Sequence, residues 1–88
     1  MQKHLPTSIR GVPIAWNDGV PSLDLRGLTP PQPAVTILAL LEHESCGDTV
    51  LVRLDRDPVF LYPELVERGW QWESIPAAPG DVRLRLFR

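Results

Sequence analysis

Cysteine is almost missing from this chain of 88 residues. Cys46 stands alone, which excludes an intramolecular disulfide framework and points to a reducing cytoplasm. Lysine is equally scarce: Lys3 is the sole lysine, the other eight basic residues are arginines, and 11 acids leave a net charge of −2. That balance argues against nucleic acid or an anionic membrane as the main partner. The histidines are His4 and His43, and with one cysteine they form no metal-ligand spacing. No metal or other cofactor is expected. Neither a Gly-rich phosphate loop nor a Ser/His/Asp arrangement is present, so no enzymatic activity is expected. The longest apolar stretch, residues 34–41, includes Thr36 and falls far below the ~20 residues of a membrane span. Residues 1–6 have no apolar run that could serve as a signal peptide.

Proline, by contrast, is abundant, with 10 residues. Three of them, Pro30, Pro31 and Pro33, open a helical stretch that follows a short strand and a Gly27 turn. At 88 residues with 43 % apolar content, one domain buries roughly 60–65 % of the surface its unfolded chain exposes. Residues 1–21 read as an arm broken by Pro6, Gly11, Pro13, Gly19 and Pro21. Ile14 and Trp16 alternate around Ala15, which fits either an added edge strand or a disordered arm with Trp16 docked on the domain.

Residues 22–88 form the domain proper. Leu23 and Leu25 alternate with Ser22, Asp24 and Arg26, the period of a half-buried strand. Ala34, Ile37, Leu38 and Leu41 then fall on one helical stripe. That helix starts either at a Thr29/Gln32 capping box or with Pro31 or Pro33 as its first residue. Thr49–Leu54 is a second strand. Asp57-Pro58 has the form of an N-cap with proline at the first helical position, and Tyr62, Leu65 and Val66 supply the stripe of a second helix. Pro63 lies inside it and calls for a distorted first turn or a late start. Trp70 and Trp72 mark a third strand, and Val82, Leu84 and Leu86 a fourth.

The element order is β-α-β-α-β-β. Right-handed crossovers place the first three strands parallel, with both helices on one face. The expectation is an α+β two-layer sandwich whose mixed four-stranded sheet has the order 1-2-4-3. Its core should contain Leu23, Leu25, Ile37, Leu38, Leu41, Val52, Leu65 and Leu84.

The segment Leu-Asp-Leu-Arg-Gly-Leu-Thr-Pro-Pro-Gln-Pro, residues 23–33, resembles the TusA/SirA-like sulfur-carrier family, whose first helix opens on Cys-Pro-x-Pro. Spacing to Gly47-Asp48 and Asp57-Pro58 extends the resemblance over residues 22–88. Pro31 and Pro33 match the family's prolines, while Pro30 stands where the reactive cysteine belongs. A proline cannot carry a persulfide. The chain is therefore similar to an uncharacterised branch of that superfamily that lacks the cysteine. The resemblance implies the same two-layer fold and a non-catalytic module that binds another protein in sulfur or redox metabolism, as a monomer or weak homodimer.

Two surfaces are candidates. One is the helix start, formed by Arg26, Thr29, Pro30, Pro31, Gln32 and Pro33. Helix N-termini hold anions through free N–H groups, which prolines lack, so the knuckle is rigid and apolar: either a docking surface or simply a stiff helix start. The alternative is anion or RNA binding by Arg53, Arg83 and Arg85 on the sheet face turned from the helices. Such faces usually add stacking aromatics, and only Phe87 qualifies. Arg53 and Arg85 are expected side by side, with Asp24 and Glu73 offsetting their charge, and residues 12–20 or a second subunit could cover part of this face. Cys46 sits at the opposite end of the first helix from the family's cysteine, among Glu42, Glu44 and Asp48, which disfavours a thiolate.

Overall fold

A computed structural model describes residues 5–88; residues 1–4 of the expected arm, with Lys3 and His4, lie outside it. The elements are β1 (Ser8–Ile9), β2 (Val12–Asn17), β3 (Val20–Asp24), α1 (Gln32–Leu41), β4 (Thr49–Leu54), α2 (Leu61–Glu67), β5 (Gln71–Ile75) and β6 (Val82–Phe87), with a 3₁₀ turn at Glu44–Cys46.

The class is α+β with two helices and a mixed sheet, but the sheet has six strands rather than four, in the order β1-β2-β3-β4-β6-β5. The added pair comes from the arm. β2 runs antiparallel to β3 through Asp18 (φ 52) and Gly19 (φ 80), the two left-handed positions of a tight hairpin whose twist matches its strands. β1 joins β2 around Arg10 and Gly11 in the same way. Pro13 survives within β2 because its nitrogen faces the β3 side beyond the last β2–β3 pair, Ile14 with Leu23, while the outward bond is made by Ile14, whose N–H donates to the Thr7 carbonyl oxygen (2.9 Å). Residues 12–17 thus lengthen the sheet and do not fold over its open face. Trp16 stays 53 % exposed beside Pro21 and does not dock into the core.

β3 and β4 are parallel, while β4–β6 and β5–β6 are antiparallel. Alternate residues of the sheet are buried: Val12, Ile14, Leu23, Val50, Val52, Leu54, Leu84 and Leu86. These meet Ile37, Leu40 and Leu41 of α1 and Leu61 and Leu65 of α2, so both helices cover one face.

The helical faces differ from the periodicity. Residues 34–41 are nearly all apolar, so spacing alone does not choose a stripe, and docking does. Thr36, Ile37, Leu40 and Leu41 are buried, while Ala34 and Leu38 are only half-buried. Thr36 can be buried because its hydroxyl donates to the Gln32 carbonyl oxygen (2.8 Å). The Thr29/Gln32 capping box does not form: Pro31 is the N-cap, without a side-chain bond, and Pro33 lies in the first turn.

α2 starts late. A start at Pro58 would have put Pro63 beyond the first turn, costing a helical hydrogen bond; a start at Leu61 keeps it where the N–H is free anyway. Asp57 therefore caps nothing and instead accepts a hydrogen bond from the Tyr62 hydroxyl. Tyr62 stacks on Trp72 at 4.4 Å. Val66, expected in the stripe, is 64 % exposed, and Leu61 takes its place at 0 %.

Leu40→Ala is expected to cost about 2–5 kcal/mol, the range for a fully buried leucine, and Leu38→Ala clearly less. Denaturant melts of the two variants check this. Equal costs would mean that α1 faces the sheet through the stripe of Ala34 and Leu38 instead.

Candidate functional site

The parallel pair β3–β4 brings two loops together at the carboxyl ends of its strands. The Leu25 N–H donates to the Arg53 carbonyl oxygen (2.8 Å), extending the ladder one residue past β3. Gly27, with φ 83, turns the chain, and its N–H donates to Asp55 Oδ2 at 2.6 Å. Asp55 is the first residue after β4, so this one bond fastens the β3–α1 loop to the β4–α2 loop.

Between these loops lies a cleft of about 340 Å³. One wall is Leu28, Pro30, Pro31, Pro33 and Ala34; the other is Pro58, Val59, Phe60 and Leu61, with Leu25 and Leu54 at the floor. Pro30, Pro31 and Pro33 contribute no backbone donor to this wall, and the lining is predominantly apolar. Crevices outside the carboxyl ends of parallel strands are the usual ligand positions in open sheets containing them. Phe60 and Val59 stand 87 % and 55 % exposed at the rim.

Of the six residues expected at the helix start, only Pro30, Pro31 and Pro33 line the cleft. Arg26 turns back onto Asp24, donating to its two carboxylate oxygens at 2.9 and 2.8 Å. Thr29 and Gln32 are exposed and outside the lining. Periodicity gives no signal for the second wall: Val59 and Phe60 belong to no buried stripe. The usable signal was their apolar character immediately after Asp57-Pro58, at the end of a parallel strand.

The charged lining residues are Asp55, Arg56 and Asp57. Asp55 is committed to Gly27 and Asp57 to Tyr62. Arg56 forms no ion pair among the described residues. Burial, and then the Asp57 carboxylate, raise the Tyr62 phenol well above its ordinary range, so it stays protonated near neutrality. No cysteine, serine or histidine lines the cleft. Cys46 is remote from it, 2 % exposed, with Sγ facing the carbonyl oxygens of Gly47 (3.3 Å) and Leu41 (3.7 Å). Burial pushes its thiol pKa up, against a smaller pull from Arg88. Among the described residues no group of three His, Cys, Asp or Glu is placed to hold a metal ion, and no helix is long and apolar enough to cross a membrane.

The open face is organised by an acid that lies outside every strand and helix. Asp81 accepts from Arg53 (3.0 and 2.9 Å) and from Arg83 (3.2 and 3.1 Å). Arg53 lies opposite Arg83, not beside Arg85, which faces Leu51. Two like charges can face each other across the ladder because Asp81 stands between them. Arg85 pairs with Glu73 (2.5 Å) and lies 4.3 Å over the Phe87 ring, covering the aromatic that a base would stack on. Arg53, Arg83 and Arg85 are thus all spent within the fold.

Arg53 first, then Arg83, holds the Asp81 carboxyl down from its ordinary 3.8 to about 2. A depressed folded-state pKa contributes stability above the unfolded value and loses it as pH falls through the folded one. Wild-type denaturant midpoints should therefore fall between pH 4 and pH 2 more steeply than those of Asp81→Asn. The variant should also be less stable at neutral pH, where Arg53 and Arg83 would face each other uncompensated. Parallel pH profiles would show that Asp81 does not hold the two arginines.

Known proteins give a consistent placement. The family described as uncharacterized conserved protein (DUF2249) matches residues 22–88. The fold is similar to the crystal structure of a SirA-like protein from Desulfitobacterium hafniense, with a TM-score of 0.61 and 25 % identity, over 75 % of this chain and 93 % of that one. No curated protein matches. With the proline-opened helix, the parallel pair and this two-layer architecture in place, the chain belongs to the DUF2249 family, an uncharacterised branch of the SirA/TusA-like superfamily.

Proposed function

We propose that this protein is a non-catalytic interaction module, linked to sulfur or redox metabolism, whose cleft receives an apolar side chain of a partner protein. The observation that carries the reading is the cleft itself: an apolar hollow of about 340 Å³ with Pro30 on its wall, at the position where the family resemblance puts the reactive cysteine. This size is at the low end of ~300–1,000 Å³ for ligand pockets, suited to one or two side chains. An exposed Phe60 and Val59 extend it with the apolar, aromatic surface typical of binding hot spots.

Two measurements test this. Incubation with a cysteine desulfurase and cysteine, followed by mass spectrometry, should leave the chain without an added sulfur atom; sulfur gained at Cys46 would make it a carrier and reject the reading. Peptide display against the folded protein should enrich sequences with an aromatic or branched apolar residue that no longer bind Val59→Asp/Phe60→Asp. Selection indifferent to that double substitution would move the interaction elsewhere.

Pro30→Cys, which writes the family motif back, should be alkylated at neutral pH at least ~10-fold faster than Cys46, because Pro30 is exposed while Cys46 is buried and reaches reagent only through local opening. Equal rates would show that this rim is not open to a reacting partner.

A further inference from the structure

The two edges of the sheet are finished differently. On one side the β1–β2 hairpin covers β3 and leaves only the two-residue β1 outermost. On the other side β5 pairs with β6 alone. A bare edge is a template for another strand, and proteins usually blunt it.

The ladder decides which groups of β5 are free. The Arg88 N–H donates to the Asp48 carbonyl oxygen (3.0 Å), and bonded and non-bonded pairs alternate along antiparallel strands. Leu84 and Leu86 therefore bond to β4, while Arg83, Arg85 and Phe87 bond to Ile75, Glu73 and Gln71 of β5. That leaves the N–H and C=O of Trp72 and Ser74 pointing outward, without a partner among the described residues. Just before them, the Trp70 N–H is committed to the Leu65 carbonyl oxygen (2.9 Å). Just after them, Pro76 has no N–H to offer. The usable edge is a frame two residues long.

Side chains make this frame selective. On the helix face an open hollow of about 460 Å³ lies between Val66, Trp70 and Trp72. Val66 is 64 % exposed there, and Trp72 is half-buried. On the other face the Glu73 side chain is 54 % exposed, and Arg85 reaches its Oε1 from the β6 side. No cation approaches it from the free edge among the described residues. A second copy fits this edge badly. A two-fold axis joins identical edges antiparallel. Centred on Glu73, it sets Glu73 opposite Glu73 of the other copy in the closer kind of pair, where like charges destabilise. Centred on Trp72, it brings Ser74 to the spent N–H of Trp70; centred on Ser74, it brings Trp72 to Pro76.

We infer that β5 takes an extended segment of another protein as a seventh strand, in which a lysine or arginine faces Glu73 and an adjacent apolar residue enters the Val66–Trp72 hollow. Main-chain bonds to Trp72 and Ser74 hold the segment, and alternate side chains give it specificity. The cation fixes the register, because a slip by one residue turns it toward the hollow. This surface shares no lining residue with the cleft, and the inference does not rest on the function proposed above.

The test uses ¹⁵N NMR and amide exchange of the full chain, titrated with the peptide acetyl-Thr-Thr-Val-Lys-Val-Thr-Thr-amide. In the free protein the Trp72 and Ser74 amides should exchange faster than those of Glu73 and Ile75; the opposite alternation overturns the edge assignment. The peptide should bind at about 0.1–1 mM, the scale of a few backbone bonds, shift residues 66–75 and slow exchange at Trp72 and Ser74. N-methylation of both valines should abolish binding. Replacing the lysine by glutamate should weaken it at least about fivefold, and Glu73→Gln should remove that discrimination while leaving thermal melting unchanged. Absence of binding at several times that concentration overturns the inference, as does equal binding of the methylated or the glutamate peptide. Shifts confined to residues 28–34 and 54–61 overturn it by placing the peptide in the cleft. Changes at Trp72 and Ser74 on concentrating the protein alone overturn it in favour of a second copy. Each failure leaves the cleft reading to be decided by its own peptide selection.

Discussion

The pairing of β3 with β4 is the constraint on which the rest depends. Parallel strands cannot be joined by a tight turn; the chain must cross over the sheet, and α1 is that crossover. Its right-handed path sets the helix on the face of Leu23, Val50 and Val52 and leaves the loops that follow the two parallel strands side by side at their carboxyl ends. Gly27 and Asp55 then convert proximity into a fixed distance with a single hydrogen bond. The cleft follows from geometry already set by the strands, which is why it sits on a rigid frame although its walls are loops.

Proline chemistry decides what that end of the sheet can recognise. The start of a helix after a parallel strand usually offers convergent N–H groups and a positive dipole end to an anion. Pro30, Pro31 and Pro33 remove those donors at three of four successive positions. The remaining wall is carbon, matched across the hollow by Pro58, Val59 and Phe60. The apolar character of this end comes from the backbone as much as from the side chains, because each proline removes an N–H as it adds a ring.

Much of this was legible in the residues. Val50, Val52, Leu54 and Leu84, Leu86 alternate strictly, so β4 and β6 were placed at their observed ends. Leucine repeats in residues 34–41 announced a helix but not its face, because apolar residues on every side leave orientation to tertiary packing, which chose Leu40 over Leu38. The hairpin of β1 and β2 was only half visible. Pro13 speaks against a strand unless its missing N–H falls where no ladder bond is due, and it lies one residue past the last β2–β3 pair. Asp57 looked like a cap because local rules favour it before Pro58; Pro63 overruled it from six residues away. Asp81 carried no signal at all, since a lone acid in a turn reveals its role only when the sheet brings Arg53 and Arg83 to it.

The two candidate surfaces differ less in composition than in how their charges are used. On the open face each arginine has an acid within its own fold, so an incoming anion would have to displace a carboxylate already in place, and exposed pairs that satisfy each other create little residual potential. At the cleft the acids are engaged by a backbone N–H and a phenol, groups that satisfy their hydrogen bonding without cancelling their charge, while Arg56 is left with neither. Unspent charge of both signs therefore gathers around an unfilled apolar hollow, at the one end of the sheet that the parallel strands hold rigid. Binding requires surface whose interactions are still to be made. By that criterion the arginine-rich face belongs to the architecture, and the proline-walled end keeps the interactions still to be made on which the proposed docking rests.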